Sequence, residues 1–242
     1  MKFSEFRKKY ERLPVETYQI SSINDPLVSI CVQACNHESY ISECIESLLN
    51  QKTNFDYEIL IGEDPSSDDT RNICIKYAED YPERISLFLH NKKNNIIIND
   101  METGRFNVLY NLYKSRGNFI SFCDGDDFWI DEYKIQKQYD RCKANNIDIV
   151  LGNYYHYNNK IFENPKNDLK SNTNFFKVDI EKVDSQNYHI SHISTFFFAK
   201  KYINKLFEHP MLCTSWGLDT LLIPIFFENS DVYYDVDRVS CY

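Results

Sequence analysis

The stretch FISFCDGDDFW, residues 119–129, carries an apolar run with the composition of a buried strand straight into Asp124, Asp126 and Asp127, followed by Phe128 and Trp129. Carboxylates crowded in this way repel one another, and their pKa values climb unless positive charge lies among them. A divalent cation resolves the conflict. Hard ions such as Mn2+ or Mg2+ prefer carboxylate oxygens, and Mg2+ in particular uses only one or two and completes its shell with water and substrate phosphate. The chemistry to which the motif points is metal-assisted binding of a diphosphate.

Such a motif needs elements that bring it to a cleft. From Leu27 onward the chain alternates strand-like and helix-like segments: LVSICVQA, then YISECIESLLNQ with Ile41, Cys44, Ile45, Leu48 and Leu49 at helical spacing, then the strand YEILIGED. In SSDDTRNICIKYAEDY, Ser66 and Asp69 have the spacing of a capping box, ahead of a helix with Ile73, Tyr77 and Tyr81 on one face. A strand RISLFLH, a helix RFNVLYNLYKSR, the strand NFISFCD, a helix DEYKIQKQYDRCKANN and a strand IDIVLGNYY continue the alternation. After the polar stretch 158–188, read as a loop-rich insertion or lid, come a strand HISTFFFAK, a helix WGLDTLLIPIFFEN and a final strand DVYYDVDRVSCY. The pattern is that of parallel crossover units. In an open sheet of this kind ligands bind beyond the carboxyl ends of the strands, where strand order reverses. The turn QACNHE, the pair Glu63 and Asp64, and Asp124 to Asp127 all fall at such ends.

Composition narrows the classes. With 242 residues, 43% of them hydrophobic, the chain can fill a sizeable core. A formal charge of -9 argues against a nucleic-acid partner. The six glycines form no phosphate-cradling loop, neither G-x-G-x-x-G nor G-x-x-x-x-G-K. The eight cysteines contain no C-x-x-C pair and sit mostly in apolar periodic segments, as reduced core residues would. No apolar run is long enough to span a bilayer. MKFSEFRKKYERL lacks the apolar middle of a secretory leader, and the expected location is the cytoplasm. That opening reads as a basic amphipathic helix, which either packs on its own domain or contacts the anionic inner face of a membrane.

The segments PLVSICVQACNHESYISECIESLLNQ, YEILIGEDPSSDDT, TGRFNVLYNL, GNFISFCDGDDFW, WGLDTLL and VYYDVDRVSCY, in that order, resemble successive blocks of the family 2 glycosyltransferases. The resemblance is specific from about Pro26 to Trp129 and looser from about His192 onward. It implies a single α/β domain of the GT-A type, Rossmann-like, with a mostly parallel central sheet flanked by helices. Residues 1–25 would be a helix and lead-in, 26–130 the nucleotide-sugar half, and 131–242 the acceptor half carrying the insertion. It also implies that Gln33 and Asp64 hold the nucleoside, that Arg105 flanks it, that Asp126 meets ribose or metal, and that Asp127 ligates a Mn2+ or Mg2+ ion on the diphosphate. Asp219 would be the general base that takes the proton from a glycan or glycolipid hydroxyl in an inverting transfer from a UDP-sugar. Cys35 stands where the family usually has an aromatic residue, leaving less surface for stacking a base.

Other residues leave two readings open. Trp129 and Phe128 either wall the acceptor sugar or pack under the turn. His192 and His189 have no third ligand at zinc spacing, and either lines the donor pocket or makes a plain polar contact. Asp124 is a third acidic partner or an exposed turn residue, Glu63 a structural charge or a ligand, and His37 a phosphate contact or a solvated side chain. Two further activities fit the pattern: a sugar-phosphate nucleotidyltransferase, which would need a basic glycine-rich loop where QACNHESY stands, and a catalytically silent nucleotide- or glycan-binding domain. The sequence does not speak to oligomeric state.

Overall fold

A computed structural model describes residues 1–158, 161–163, 171–179, 191–215 and 217–241. The chain runs α1 (Phe3–Tyr10), β1 (Glu16–Gln19), β2 (Val28–Ala34), α2 (Ile41–Leu49), β3 (Tyr57–Glu63), α3 (Thr70–Asp80), β4 (Ile85–Leu89), β5 (Ile96–Ile98), β6 (Met101–Thr103), α4 (Arg105–Lys114) and β7 (Phe119–Phe122). It continues through β8 (Phe128–Trp129), α5 (Lys134–Asn145), β9 (Ile149–Asn158), β10 (Ile161–Glu163), β11 (Phe175–Lys177), β12 (Phe197–Ala199), α6 (Tyr202–Glu208), α7 (Asp219–Asn229) and β13 (Tyr233–Cys241).

The main sheet has the order β1-β4-β3-β2-β7-β12-β9-β13-β11, with β8 and β10 paired at its side. Strands β4, β3, β2 and β7 are parallel, as crossover connections require. Beyond them β12 runs antiparallel to both β7 and β9, while β13 lies parallel to β9. Successive crossovers step from β2 to β3 to β4, and the chain then returns to lay β7 on the other side of β2. Order therefore reverses between β2 and β7, and the crevice at their carboxyl ends is where this architecture places a ligand.

Strand alternation splits the interior in two. Val28, Ile30 and Val32 of β2 and Ile59 and Ile61 of β3 pack with α2, α3 and α5. Cys31, Leu60, Ile120 and Phe122 face α1, α4, α6 and α7. Both faces of these strands are buried, which is why they read as near-continuous apolar runs. The buried face of α2 is Ile41, Cys44, Ile45 and Leu48, as its spacing predicts.

Three expectations need correction. Thr70, Cys74 and Ala78 form the buried face of α3, with Tyr81 exposed; small residues let the helix lie close to the sheet, and the tyrosines go to its flank. No capping box forms there, because the Asp69 amide donates to the Glu38 carboxylate and the Ser66 amide to the Glu63 carboxylate. Only the second half of HISTFFFAK is a strand; Ile193–Thr195 is a single 3-10 turn. The lead-in, in turn, is woven into the domain: β1 extends the sheet beside β4, and Phe6 of α1 is fully buried, stacked on Phe106 at 5.1 Å. The apolar face of α1 is thus covered by its own domain, and among the described residues no helix is long and apolar enough to cross a membrane. Most of the polar stretch 158–188, and His189, lie outside the described residues.

One buried cation supports the acidic turn from below. Lys134, fully enclosed, donates from Nζ to Ser121 Oγ and Gln138 Oε1, each at 3.0 Å, and lies 4.0 Å from the Trp129 ring centre. Burial lowers its pKa from 10.5 to about 7. Between pH 7 and about 10 the unfolded chain keeps this proton while the folded chain sheds it, so this contribution to stability rises with pH across that window. Urea unfolding of the wild type and Lys134→Met should show the wild type gaining stability relative to the variant as pH rises from 7 to 10; a difference that does not change with pH would contradict the assignment.

Candidate active site

The crevice at the switch point is a cleft of about 870 Å³, within the range of cofactor-sized sites. One wall is the end of β2 and β3. Gln33, Cys35 and His37 follow from β2, and Asp64 stands one residue past β3. The turn after β2 is closed by Asn36 in the left-handed region (φ 55°), a conformation that asparagine tolerates. Its side-chain oxygen accepts from the Ser67 amide at 2.7 Å, tying the β2 and β3 turns together.

The floor is the acidic turn after β7. The Gly125 amide donates to the Gln33 carbonyl at 2.9 Å, and the Asp127 amide to the Asp124 carbonyl at 2.9 Å. Glycine is required at 125, since a Cβ there would lie 2.6 Å from His37 Nδ1 and 2.9 Å from the Gln33 carbonyl oxygen. Ser194, from the 3-10 turn before β12, clips the loop: its hydroxyl accepts from the Asp124 amide at 3.1 Å and donates to Asp127 Oδ2.

The opposite wall is the start of α7. Asp219 opens that helix, its Oδ1 accepting from the Thr220 amide at 2.8 Å, and its charge acts on both Asp124 and Arg105. Arg105, buried at the start of α4, donates to the carbonyls of Leu212 and Ser215 at 3.1 and 3.0 Å. It therefore lines the cleft and braces the segment leading into α7.

The structure thus gathers Gln33, Cys35, Asp64, Arg105, Asp126, His192 and Asp219 in one cleft, together with Asp124 and His37. Asp127 and Trp129 stand apart. Asp127 is buried against Ser194 and His192 and is not among the residues that line the cleft. Trp129 is a core residue, its indole N–H donating to the Ser194 carbonyl at 2.9 Å. Glu63 is structural, fully buried and paired with Arg71 at 2.6 Å. His37 was readable as a solvated side chain; it is half-buried, with Nε2 3.9 Å from Asp126 Oδ2. Asn95 carried no sequence signal at all.

Electrostatics mark the cleft as an unfinished site. Burial, then the charges of Asp126 and Asp219, raise the Asp124 carboxyl well above its usual range. Asp127 is raised further, by burial and by Asp124. Burial lifts Asp64 to about 7 against the opposing hydrogen bond from Asn107. Four side-chain atoms with no protein partner, Gln33 Nε2, His37 Nδ1, Asp64 Oδ1 and Asn95 Oδ1, are buried on residues that line this cleft. Buried polar groups are ordinarily bonded, so four orphans at one crevice point to a polar ligand.

A divalent ion fits the acidic turn. Among the described residues no group of three or more His, Cys, Asp or Glu side chains could hold a metal without other ligands. Asp124 and Asp126 supply two carboxylates on the cleft, which is what Mg2+-type sites use when phosphate and water complete the shell.

Comparison with known proteins places the fold and the family. The structure of S. aureus TarS 1–349 in complex with UDP-GlcNAc superposes with a TM-score of 0.66 at 18% identity, over 89% of this chain and 58% of that one. The mannosyltransferase PcManGT from Pyrobaculum calidifontis, in complex with GDP-Man and Mn2+, gives 0.62 at 14% identity over 97% and 61%. The architecture is the GT-A fold. The Glycosyl transferase family 2 model matches residues 29–207, and the chain belongs to the family 2 glycosyltransferases. Among curated relatives, the E. coli UDP-Glc:alpha-D-GlcNAc-diphosphoundecaprenol beta-1,3-glucosyltransferase WfgD is 34% identical over 138 residues, 57% of this chain and 49% of the relative. The match thus spans about half of that relative's length.

The close contact at Gly125 gives a direct test of the turn. Gly125→Ala should destabilise the fold by about 1–3 kcal/mol through overpacking against His37 and the Gln33 carbonyl, read from urea denaturation. Unchanged stability would mean that the turn is looser than described.

Proposed function

We propose that the chain transfers a sugar from a UDP-sugar to a hydroxyl of a glycan or glycolipid, with a divalent ion and with inversion. The observation that carries this reading is the set of orphaned polar atoms on one cleft. Gln33 Nε2 offers a donor and Asp64 Oδ1 an acceptor at the end of β2 and β3, a pair suited to a carbonyl and an adjacent imino N–H of uracil. Support comes from relatives whose names specify UDP-Glc, or UDP-GlcNAc as bound ligand.

Asp124 and Asp126 would hold the Mn2+ or Mg2+, which when bound neutralises charge on the departing diphosphate. Asp219, on the opposite wall, takes the acceptor proton, and its place across the cleft from the acidic turn suits attack from the face opposite the leaving group. Arg105 fixes the segment that carries Asp219. The exposed Cys35 thiol leaves the nucleoside wall open on one side. The turn after β2 contains neither glycine nor a cationic side chain, which disfavours a triphosphate-binding nucleotidyltransferase.

Measurements of hydrolysis, turnover and affinity check the reading. Hydrolysis of UDP-sugars with Mn2+, with and without chelator, should be metal-dependent. Asp219→Asn should lower turnover on an acceptor by roughly 10²–10⁴, the usual worth of a general base, while UDP still binds; Asp126→Asn should abolish the metal response. Retained turnover in Asp219→Asn would remove the base assignment. Ionised, the Asp64 carboxylate accepts the uracil N–H more strongly than the neutral acid does, and with its pKa near 7 uridine affinity should rise with pH between about 6 and 8. Asp64→Asn should flatten that profile and weaken binding; a profile identical in both chains would exclude Asp64 from the base site.

A further inference from the structure

Asp127 is an anomaly within its own motif. A carboxyl group 2% exposed is costly to bury, and this one is not among the residues that line the cleft beside its sequence neighbours Asp124 and Asp126. What it does touch is specific. Ser194 Oγ donates to its Oδ2, and His192 Nδ1 lies 3.3 Å from the same oxygen. The Ser194 amide in turn donates to His192 Nδ1 at 3.4 Å. One edge of the imidazole is therefore fixed against buried groups, while Tyr154 packs near the ring at 5.6 Å between centres. The side chain is 19% exposed, and His192 lines the cleft with Asp124, Asp126 and Asp219.

We propose that His192 is a sugar-contacting residue of the donor site, oriented by Asp127 and Ser194, an inference that rests on the nucleotide-sugar reading of the cleft. The ring lies on the same wall segment as the clip on the acidic turn, in the cleft that Asp219 closes from the other side. A sugar joined to a diphosphate at Asp124 and Asp126, and open to attack assisted by Asp219, must occupy that interval. Imidazole suits it, since its second nitrogen can donate to or accept from a hydroxyl. The diphosphate, by contrast, has its partner in the cation. Asp127 and Ser194 are positioning residues: the same serine hydroxyl that shapes the turn bonds the carboxyl group that orients the ring.

The test separates sugar from diphosphate. Affinities for UDP and for whichever of UDP-glucose and UDP-N-acetylglucosamine the wild type binds more tightly are measured by titration calorimetry with Mn2+, with melting temperatures as a check on folding. His192→Ala should weaken the sugar nucleotide about three- to ten-fold, the worth of one hydrogen bond, and leave UDP unchanged. Asp127→Asn should give the same selective loss in smaller measure, and His192→Asn should restore part of it, carrying the test if the alanine variant does not fold. An equal loss for UDP and sugar nucleotide, or no loss for either, overturns the proposal. A wild-type chain that binds neither overturns the underlying reading and this inference with it, an outcome distinct from a wild type that binds UDP and a His192→Ala chain that behaves identically.

Discussion

Negative charge confined at the carboxyl end of one strand is the constraint around which this domain is arranged. Asp124 and Asp126 face a cleft that Asp219 closes from the other side, and Asp127 lies directly behind. Arg105, the arginine among the described lining residues, donates to the carbonyls of Leu212 and Ser215. The fold tolerates the repulsion by partitioning it. The buried carboxyl is bonded to Ser194, the turn is pinned to β2 through Gly125, and Lys134 fills the space under Trp129 and Ser121. What remains on the cleft is the charge that a cation would neutralise.

The rest of the site follows from how the sheet is wound. Because order reverses between β2 and β7, the loops after β2, β3 and β7 diverge around one crevice, each bringing a different group: an amide, a carboxyl and the acidic turn. Helix α4 sets the depth of the crevice, since the Asn107 amide donates to the Gly62 carbonyl at 2.8 Å and Asn111 to the Val32 carbonyl at 3.0 Å. These bonds fix the strands that carry Gln33 and Asp64. The antiparallel entry of β12 beside β7 then carries His192 and Ser194 to the acidic turn from some seventy residues away in sequence.

Much of this was legible in the sequence for a physical reason: strands buried on both faces leave unbroken apolar runs, and the polar residues that end them mark the ligand edge. Gln33, Asp64 and Asp126 line one cleft as those ends imply, while Arg105 and Asp219, which open α4 and α7, are marked by the family resemblance instead. The roles within DGDD were not legible, because which carboxylate turns inward depends on the His37 ring against Gly125 and on a hydroxyl from Ser194. Trp129 was ambiguous since an aromatic after a turn can face either way; the Ser194 carbonyl and Lys134 decide for the core. The inward face of α3 differs from the one that apolar weight predicts, because close packing against the sheet favours the small side chains of Thr70, Cys74 and Ala78 over the tyrosines.

The claim at the centre is that the acidic turn holds a divalent ion bridged to a nucleoside diphosphate. Its most direct test is a crystal structure of the chain grown with UDP and Mn2+. The account predicts anomalous density for manganese at carboxylate oxygens of Asp124 and Asp126 and at the diphosphate, with uracil against Gln33 and Asp64. UDP seated outside this cleft, or manganese absent from the turn with the diphosphate held by other groups, would contradict it.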